Sequence, residues 1–291
     1  MSVALITGTS TGIGLETALA AARRGLVTYA TMRDLSRSGE LRERAAAEDL
    51  PVRLLTLDVT DDASVSAAVA EVEDAHGAID ILVNNAGVSA AGPVETVPAE
   101  RAREVFETNV WGPVRLSRAV LPAMRERGSG VVVNLGSVAG RVPGLPHNGF
   151  YCASKHALSI LSESLAWEVA PFGIRVVSVE PDFFATRIFD RGWAGSVDPE
   201  GPYGADHAWA NSYFLDGGAQ AAADPAVAGE AVVAAALDPA SPLHVFVGPG
   251  GPAFTEAAAA AGSFENWVTT ATQIMETVAG PRPTAPAPAR A

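Results

Sequence analysis

The chain has 291 residues, 48% apolar and 18% charged, which fits one large α/β domain or two small ones and excludes a disordered protein. Basic side chains number 20 against 33 acidic ones, and the formal charge of -13 opposes broad attraction to nucleic acid or anionic lipid. A single cysteine, Cys152, rules out an internal disulfide framework; no apolar run nears the roughly 18 residues of a membrane span, and MSVALITG lacks the build of a signal peptide, so the cytoplasm is the expected location.

Short apolar runs at 3–7, 26–31, 52–57, 79–84, 130–135, 174–180 and 243–247 read as strands, and stretches of helical character at 13–24, 63–76, 115–127 and 152–170 separate them. The strand runs lack polar alternation, so both faces of the sheet are expected to be buried. The fold predicted is α/β: a Rossmann-type, doubly wound parallel sheet of seven strands with helices on both faces. Residues 1–250 form one catalytic domain in this reading. A helical appendage interrupted at Gly262 follows over 251–278, and a Pro/Ala tail over 279–291.

Directly after the first strand, TGTSTGIG leads Gly8, Gly12 and Gly14 into a helix. Such a loop turns tightly and lets a pyrophosphate approach the free N–H groups of a helix N-terminus, so Gly8, Ser10, Thr11, Gly12, Ile13 and Gly14 are expected to hold a dinucleotide. GTSTG also fits G-x-S-x-G, the nucleophile elbow of a hydrolase, with Ser10 as nucleophile. That fold takes an oxyanion donor from an upstream loop, and only nine residues precede Ser10. The second strand ends in TMRD, with Met32 at its tip and Arg33 immediately after. An arginine there accommodates a 2'-phosphate, which selects NADP(H) over NAD(H).

Farther along, YCASK sets Tyr151 one helical turn from Lys155, so phenol and ammonium emerge on one face. At about 4 Å and an effective dielectric near 20 their attraction is roughly 4 kcal/mol in favour of the phenolate; burial of both groups opposes it. Cys152 and His156 form a second such pair, turned about 100° away, with no third group to orient the histidine. The histidines at 76, 147, 207 and 244 show no metal-ligand spacing, and no metal is expected. Residues 183–216 hold Phe183, Phe184, Phe189, Trp193, Tyr203, Trp209, Tyr213 and Phe214. Following the sixth strand, they read as a lid over an apolar pocket, a helical subcore, or both.

Taken together, TGTSTGIG, NNAG at 84–87, Asn109 in TNVWG, Ser137 in LGSVAG and YCASK resemble the short-chain dehydrogenase/reductase family over roughly residues 1–190. YATMRDL, GLPHNGFYCASK and LSESLA look most like its estradiol 17-beta-dehydrogenase and retinol dehydrogenase branch. The resemblance implies a catalytic tetrad of Asn109, Ser137, Tyr151 and Lys155. Tyr151 would act as general acid and base, Ser137 would orient the substrate oxygen, Lys155 would bind the nicotinamide ribose, and Asn109 would hold a proton-relay water. It further implies that Asp58 and Val59 meet the adenine, that Asn85, Ala86 and Gly87 flank a ribose, and that Pro181 and Thr186 border the nicotinamide. Asp182 stands where the family usually has glycine. The substrate is expected among Ser137, Tyr151, Phe183, Phe184 and Trp209, and the helices at 115–127 and 152–170 would pair in a homodimer or homotetramer. The expected function is an NADP(H)-dependent ketone/alcohol oxidoreductase on a lipophilic molecule; a redox-silent dinucleotide-binding regulator is the rival.

Overall fold

The computed structural model describes residues 2–188 and 197–284. Phe189, Trp193 and tail residues 285–291 lie outside the described residues. Seven strands form one parallel sheet: β1 (Val3–Thr7), β2 (Val27–Met32), β3 (Val52–Thr56), β4 (Ile81–Asn84), β5 (Gly130–Leu135), β6 (Ile174–Pro181) and β7 (His244–Val247), in the order β3-β2-β1-β4-β5-β6-β7. Because every strand runs the same way, all carboxyl ends reach one edge. The order reverses between β1 and β4, where a crevice opens.

Strand periodicity explains the double burial. Ala4 and Ile6 of β1 face one side, where they join Leu15 and Leu19 of α1 (Gly12–Arg23), Leu41 of α2 (Gly39–Ala47) and Val232 of α8 (Pro225–Leu237). Val3 and Leu5 face the other, with Val69 of α3 (Asp62–His76), Val120 of α5 (Gly112–Arg127) and Val169 of α6 (Gly149–Val169). Helix α4 (Ala99–Phe106) leads into α5 through a π-helical turn, Glu107–Trp111. Gly229 lets α8 lie directly on α1: a Cβ there would sit 2.7 Å from the carbonyl carbon of Glu16. Among the described residues no helix is long and apolar enough to cross a membrane.

A third cluster lies beyond the carboxyl edge. Helix α7 (Gly204–Asn211) runs on through a π-helical turn, Ser212–Gly217, and packs Trp209 and Phe214 with Val142, Leu145 and Cys152. The C-terminal segment is two helices, α9 (Gly251–Ala261) and α10 (Phe264–Ala279), parted at Gly262 in the left-handed conformation (φ +69). Helix α10 brings Trp267, 0% exposed, into the same cluster, and its indole N–H donates to the Gly144 carbonyl at 3.3 Å. The aromatic segment is thus a subcore whose inner side forms one wall of the crevice.

Removing a fully buried indole leaves a large cavity, so Trp267→Ala is expected to cost about 3–5 kcal/mol. The guanidinium unfolding midpoint of the whole chain should fall, with one transition throughout. A midpoint equal to that of the parent would mean that α10 is not part of the cooperative core.

Candidate functional site

The strand ends open on one cavity of about 1220 Å³. Its foundation is a knot between β1 and β4. The Thr7 hydroxyl donates to the Val83 carbonyl (3.3 Å) and accepts from the N–H groups of Asn85 and Ala86, both at 3.0 Å. The Asn85 amide in turn donates to the carbonyls of Thr7 (2.8 Å) and Gly8 (3.1 Å). Gly8 and Gly12 take left-handed backbone angles (φ +70 and +61), and a Cβ at Gly14 would lie 2.2 Å from the Asn85 amide nitrogen. Only glycine fits that approach. No side chain caps α1 at Thr11, so its first N–H groups are left for an anion, which fits a pyrophosphate on this loop.

Gly8, Ser10, Thr11, Gly12, Ile13 and Gly14 all line the cavity, as do Arg33, Asp58, Val59, Asn85, Ala86, Gly87, Pro181 and Thr186. Arg33 is exposed and makes no ion pair among the described residues; Arg37 lines the same end. The neighbouring Asp34 accepts from the Ser36 N–H at 2.9 Å and caps the turn Leu35–Ser38; the side chain of Ser36, and then its N–H, hold the carboxyl below the usual range. Its geometry is that of a cap, and it lines the cavity beside Arg33. One oxygen of Asp58 accepts from both the N–H and the hydroxyl of Thr60, at 2.9 and 2.8 Å.

Ser137, Tyr151 and Lys155 meet at the cavity wall. Ser137 follows β5 and caps the turn Val138–Gly140 by accepting from the Ala139 N–H (3.1 Å), and its hydroxyl favours the ionised form of the Tyr151 phenol. The turn rests on α6 itself, since a Cβ at Gly140 would lie 2.7 Å from the Lys155 carbonyl oxygen. Burial pushes the Tyr151 phenol up to about 12, and the Ser137 hydroxyl only partly offsets it. Burial likewise pulls the Lys155 ammonium down to about 8. Lys155 Nζ donates to the Leu135 carbonyl at 2.7 Å and stands 5.8 Å from the centre of the Tyr151 ring. The cation expected to acidify the phenol is therefore held to the β5 backbone, and desolvation governs both groups.

Asn109 lies behind this wall, 1% exposed, in the π-helical turn before α5. Its carbonyl accepts from the Val88 N–H (2.9 Å), while its amide donates to the Val88 carbonyl (2.9 Å) and the Ser154 hydroxyl (3.0 Å). Seen from a Cβ built on Gly87, its Oδ1 and Lys155 Nζ lie at 3.4 and 3.8 Å, so both converge there. The Asn109 side chain thereby braces the loop after β4.

Phe183 and Phe184 line the cavity; Trp209 does not. The Trp209 indole N–H donates to the Gly280 carbonyl at 2.8 Å and the Arg282 guanidinium covers the ring at 5.2 Å, so Trp209 is a subcore residue. Sequence reasoning missed Ile274 and Val278, which reach the cavity from α10 at i, i+4 spacing, and Asn148, three residues before Tyr151. Asp182, the departure from the family glycine, binds β6 to the loop after β7. It accepts from the Gly250 N–H (2.9 Å), and its own N–H donates to the Val247 carbonyl (2.9 Å).

Two other constellations dissolve. His156 Nδ1 bonds the Cys152 backbone carbonyl (3.0 Å), and burial pushes the Cys152 thiol up to about 11, so the pair is no thiolate dyad. Ser10 has no hydrogen bond to a histidine among the described residues.

Residues 2–194 match the family described as short chain dehydrogenase. The human 17-beta-hydroxysteroid dehydrogenase type 1 is 45% identical over 185 residues, which cover 62% of this chain and 56% of that protein. Among solved structures, a short-chain dehydrogenase from Streptomyces avermitilis aligns with a TM-score of 0.77 at 36% identity, covering 93% of this chain and 97% of that one. A gluconate 5-dehydrogenase from Burkholderia cenocepacia J2315, in complex with NADP and tartrate, aligns at 0.69 and 26% identity over 87% and 95%. The chain belongs to the short-chain dehydrogenase family.

Proposed function

We propose that the chain is an NADP(H)-dependent oxidoreductase that interconverts a ketone and a secondary alcohol on a lipophilic small molecule, with Tyr151 as general acid and base. The observation that carries this reading is that Tyr151, Ser137 and Lys155 meet on the wall of the same cavity that the glycine loop lines. A nicotinamide dinucleotide supplies or accepts the hydride when bound. Gly8 to Gly14 and the first N–H groups of α1 would hold its pyrophosphate, and Lys155 would hold the nicotinamide ribose. Arg33, with Arg37 beside it, favours a 2'-phosphate, in keeping with the NADP held by the Burkholderia relative. Leu145, Phe183, Phe184, Phe214, Ile274 and Val278 supply an apolar wall for the rest of the substrate.

Ser137 orients the substrate oxygen against the phenol, and Tyr151 donates its proton to that oxygen during reduction. The high phenol pKa keeps this acid protonated throughout the neutral range. Alcohol oxidation needs the opposite form, and the phenolate fraction rises about tenfold per pH unit below the pKa. A redox-silent regulator would have no use for this arrangement. We further propose that the chain forms a homodimer or homotetramer in the cytoplasm, with Trp111, 50% exposed, before α5 and with Ile160 (59%) and Trp167 (85%) on α6 as the contact residues.

Three measurements test these assignments. Tyr151→Phe should lower kcat for NADPH-dependent ketone reduction by about 100- to 10,000-fold, and in the parent protein oxidation should gain with pH between 6 and 9 while reduction stays level; undiminished turnover in the variant rejects Tyr151 as the acid. Arg33→Ala should raise KM for NADPH at least about tenfold while leaving KM for NADH within a factor of two to three, as expected for loss of one charge-assisted contact; an equal effect on both cofactors removes Arg33 from the 2'-phosphate site. Light scattering should give two or four times the chain mass, and Trp167→Glu should lower it. A monomeric parent ends the oligomer proposal.

A further inference from the structure

Asn148 stands at the N-cap of α6, where asparagine is among the strongest capping residues, yet its side chain makes no capping hydrogen bond. It makes no other among the described residues. The residue is 2% exposed, its Oδ1 is fully buried without a partner, and it lines the cavity. Three residues later on the same helix face comes Tyr151.

A second orphan stands on the facing loop. Ser89 is also 2% exposed, its hydroxyl has no partner, and it lines the same cavity. The two segments run side by side: the Gly92 N–H donates to the His147 carbonyl at 2.7 Å, and Val88 packs near Phe150 in one apolar cluster. Both are also held from behind. Asn109 fixes Val88 through both ends of its amide, while His147, with a left-handed backbone (φ +54), is bonded through Nε2 to Asp206 at 2.8 Å.

Buried polar groups are nearly always paired, and leaving them unpaired is costly, so two orphans on one cavity wall mark a place where a ligand or water completes the bonding. The charge around them is neutral. Arg101, which donates to the Ser89 carbonyl at 3.3 Å, is ion-paired to Glu104. Asn148 carries a carbonyl acceptor and two N–H donors, and the Ser89 hydroxyl both donates and accepts. Among the described residues the arginine beside Ser89 is already paired, so a carboxylate or phosphate gains little there, whereas a hydroxyl or carbonyl finds both kinds of partner.

We infer that Asn148 and Ser89 recognise a second, neutral oxygen function on the substrate, a hydroxyl or carbonyl a few bonds from the reacting carbon. The substrate class is accordingly an oxygenated ketone, with a polar group at the Tyr151 end and an apolar body against α10 and the aromatic subcore. The placement of the reacting carbon rests on the oxidoreductase reading; the binding preference does not. A ligand oxygen that replaces bound water here keeps the bonding complete, while a plain ketone displaces that water and leaves both groups bare.

The test is calorimetric titration of 2-octanone and of 4-hydroxy-2-octanone into the full chain with excess NADP+, so that binding is read without turnover. The hydroxyketone should bind about 10- to 100-fold more tightly. Asn148→Ala should reduce that preference below about threefold, and Ser89→Ala, altering the opposite loop, should reduce it partway. Equal affinities in the parent, no binding of either compound, or a preference that survives both substitutions overturns the assignment. Parallel NADPH oxidation assays keep the two readings apart: preferential binding without reduction of either ketone counts against the oxidoreductase alone, and reduction of both without preference counts against the recognition site alone.

Discussion

The hydrogen bonds joining Thr7 to Asn85 and Ala86 are the contact on which the rest of this site depends. They sit where the sheet order reverses, so one hydroxyl and one amide set the distance between the two halves of the crevice. The Asn85 amide also fills the space that any side chain at Gly14 would need. The glycine loop is therefore shaped from β4 as much as by its own glycines. A loop with the same glycines but no asparagine at the end of β4 would lack the brace that keeps its carbonyls turned from the crevice.

Burial then decides the electrostatics. A lysine one turn from a tyrosine suggests a phenol made acidic by its neighbour, and in open solvent that inference from Coulomb's law holds. Within α6 both groups are buried against the turn Val138–Gly140 and the end of β5, and desolvation raises one pKa while lowering the other. The effect is a phenol that stays neutral beside an ammonium whose charge is weakened by burial.

Much of this was legible in the chain. The strand runs fall within one or two residues of the observed strands because doubly buried strands write themselves as unbroken apolar runs. TGTSTGIG and YCASK were readable because each is local: a turn and a single helical face. The side-chain contacts of Asn109 were not, since its partners Val88 and Ser154 are distant in sequence and its amide gives no sign of which way it turns. Trp209 illustrates a different limit. A count of aromatics identifies a wall, but whether a ring faces the cavity or the filling behind it is set by partners such as Gly280 and Arg282. The same holds for α8, which the chain hides in an alanine-rich stretch and which docks on α1 because Gly229 has no side chain.

Asp182 shows how a departure from a family pattern can be absorbed. A glycine after β6 leaves the chain free to turn, while an aspartate must find donors for its carboxylate or face water. Here the Gly250 N–H, at the start of α9, supplies one, so the carboxylate serves as a cap for a helix that carries no other. Burial still raises its pKa, which means the cap is bonded but not fully compensated. The consequence is mechanical: the loop after β6, which holds Phe183, Phe184 and Thr186 at the cavity, is fastened to α9 and through the α9–α10 pair to the wall formed by Ile274 and Val278. Two stretches of the cavity wall that lie far apart in sequence are thus tied together in part by one carboxylate.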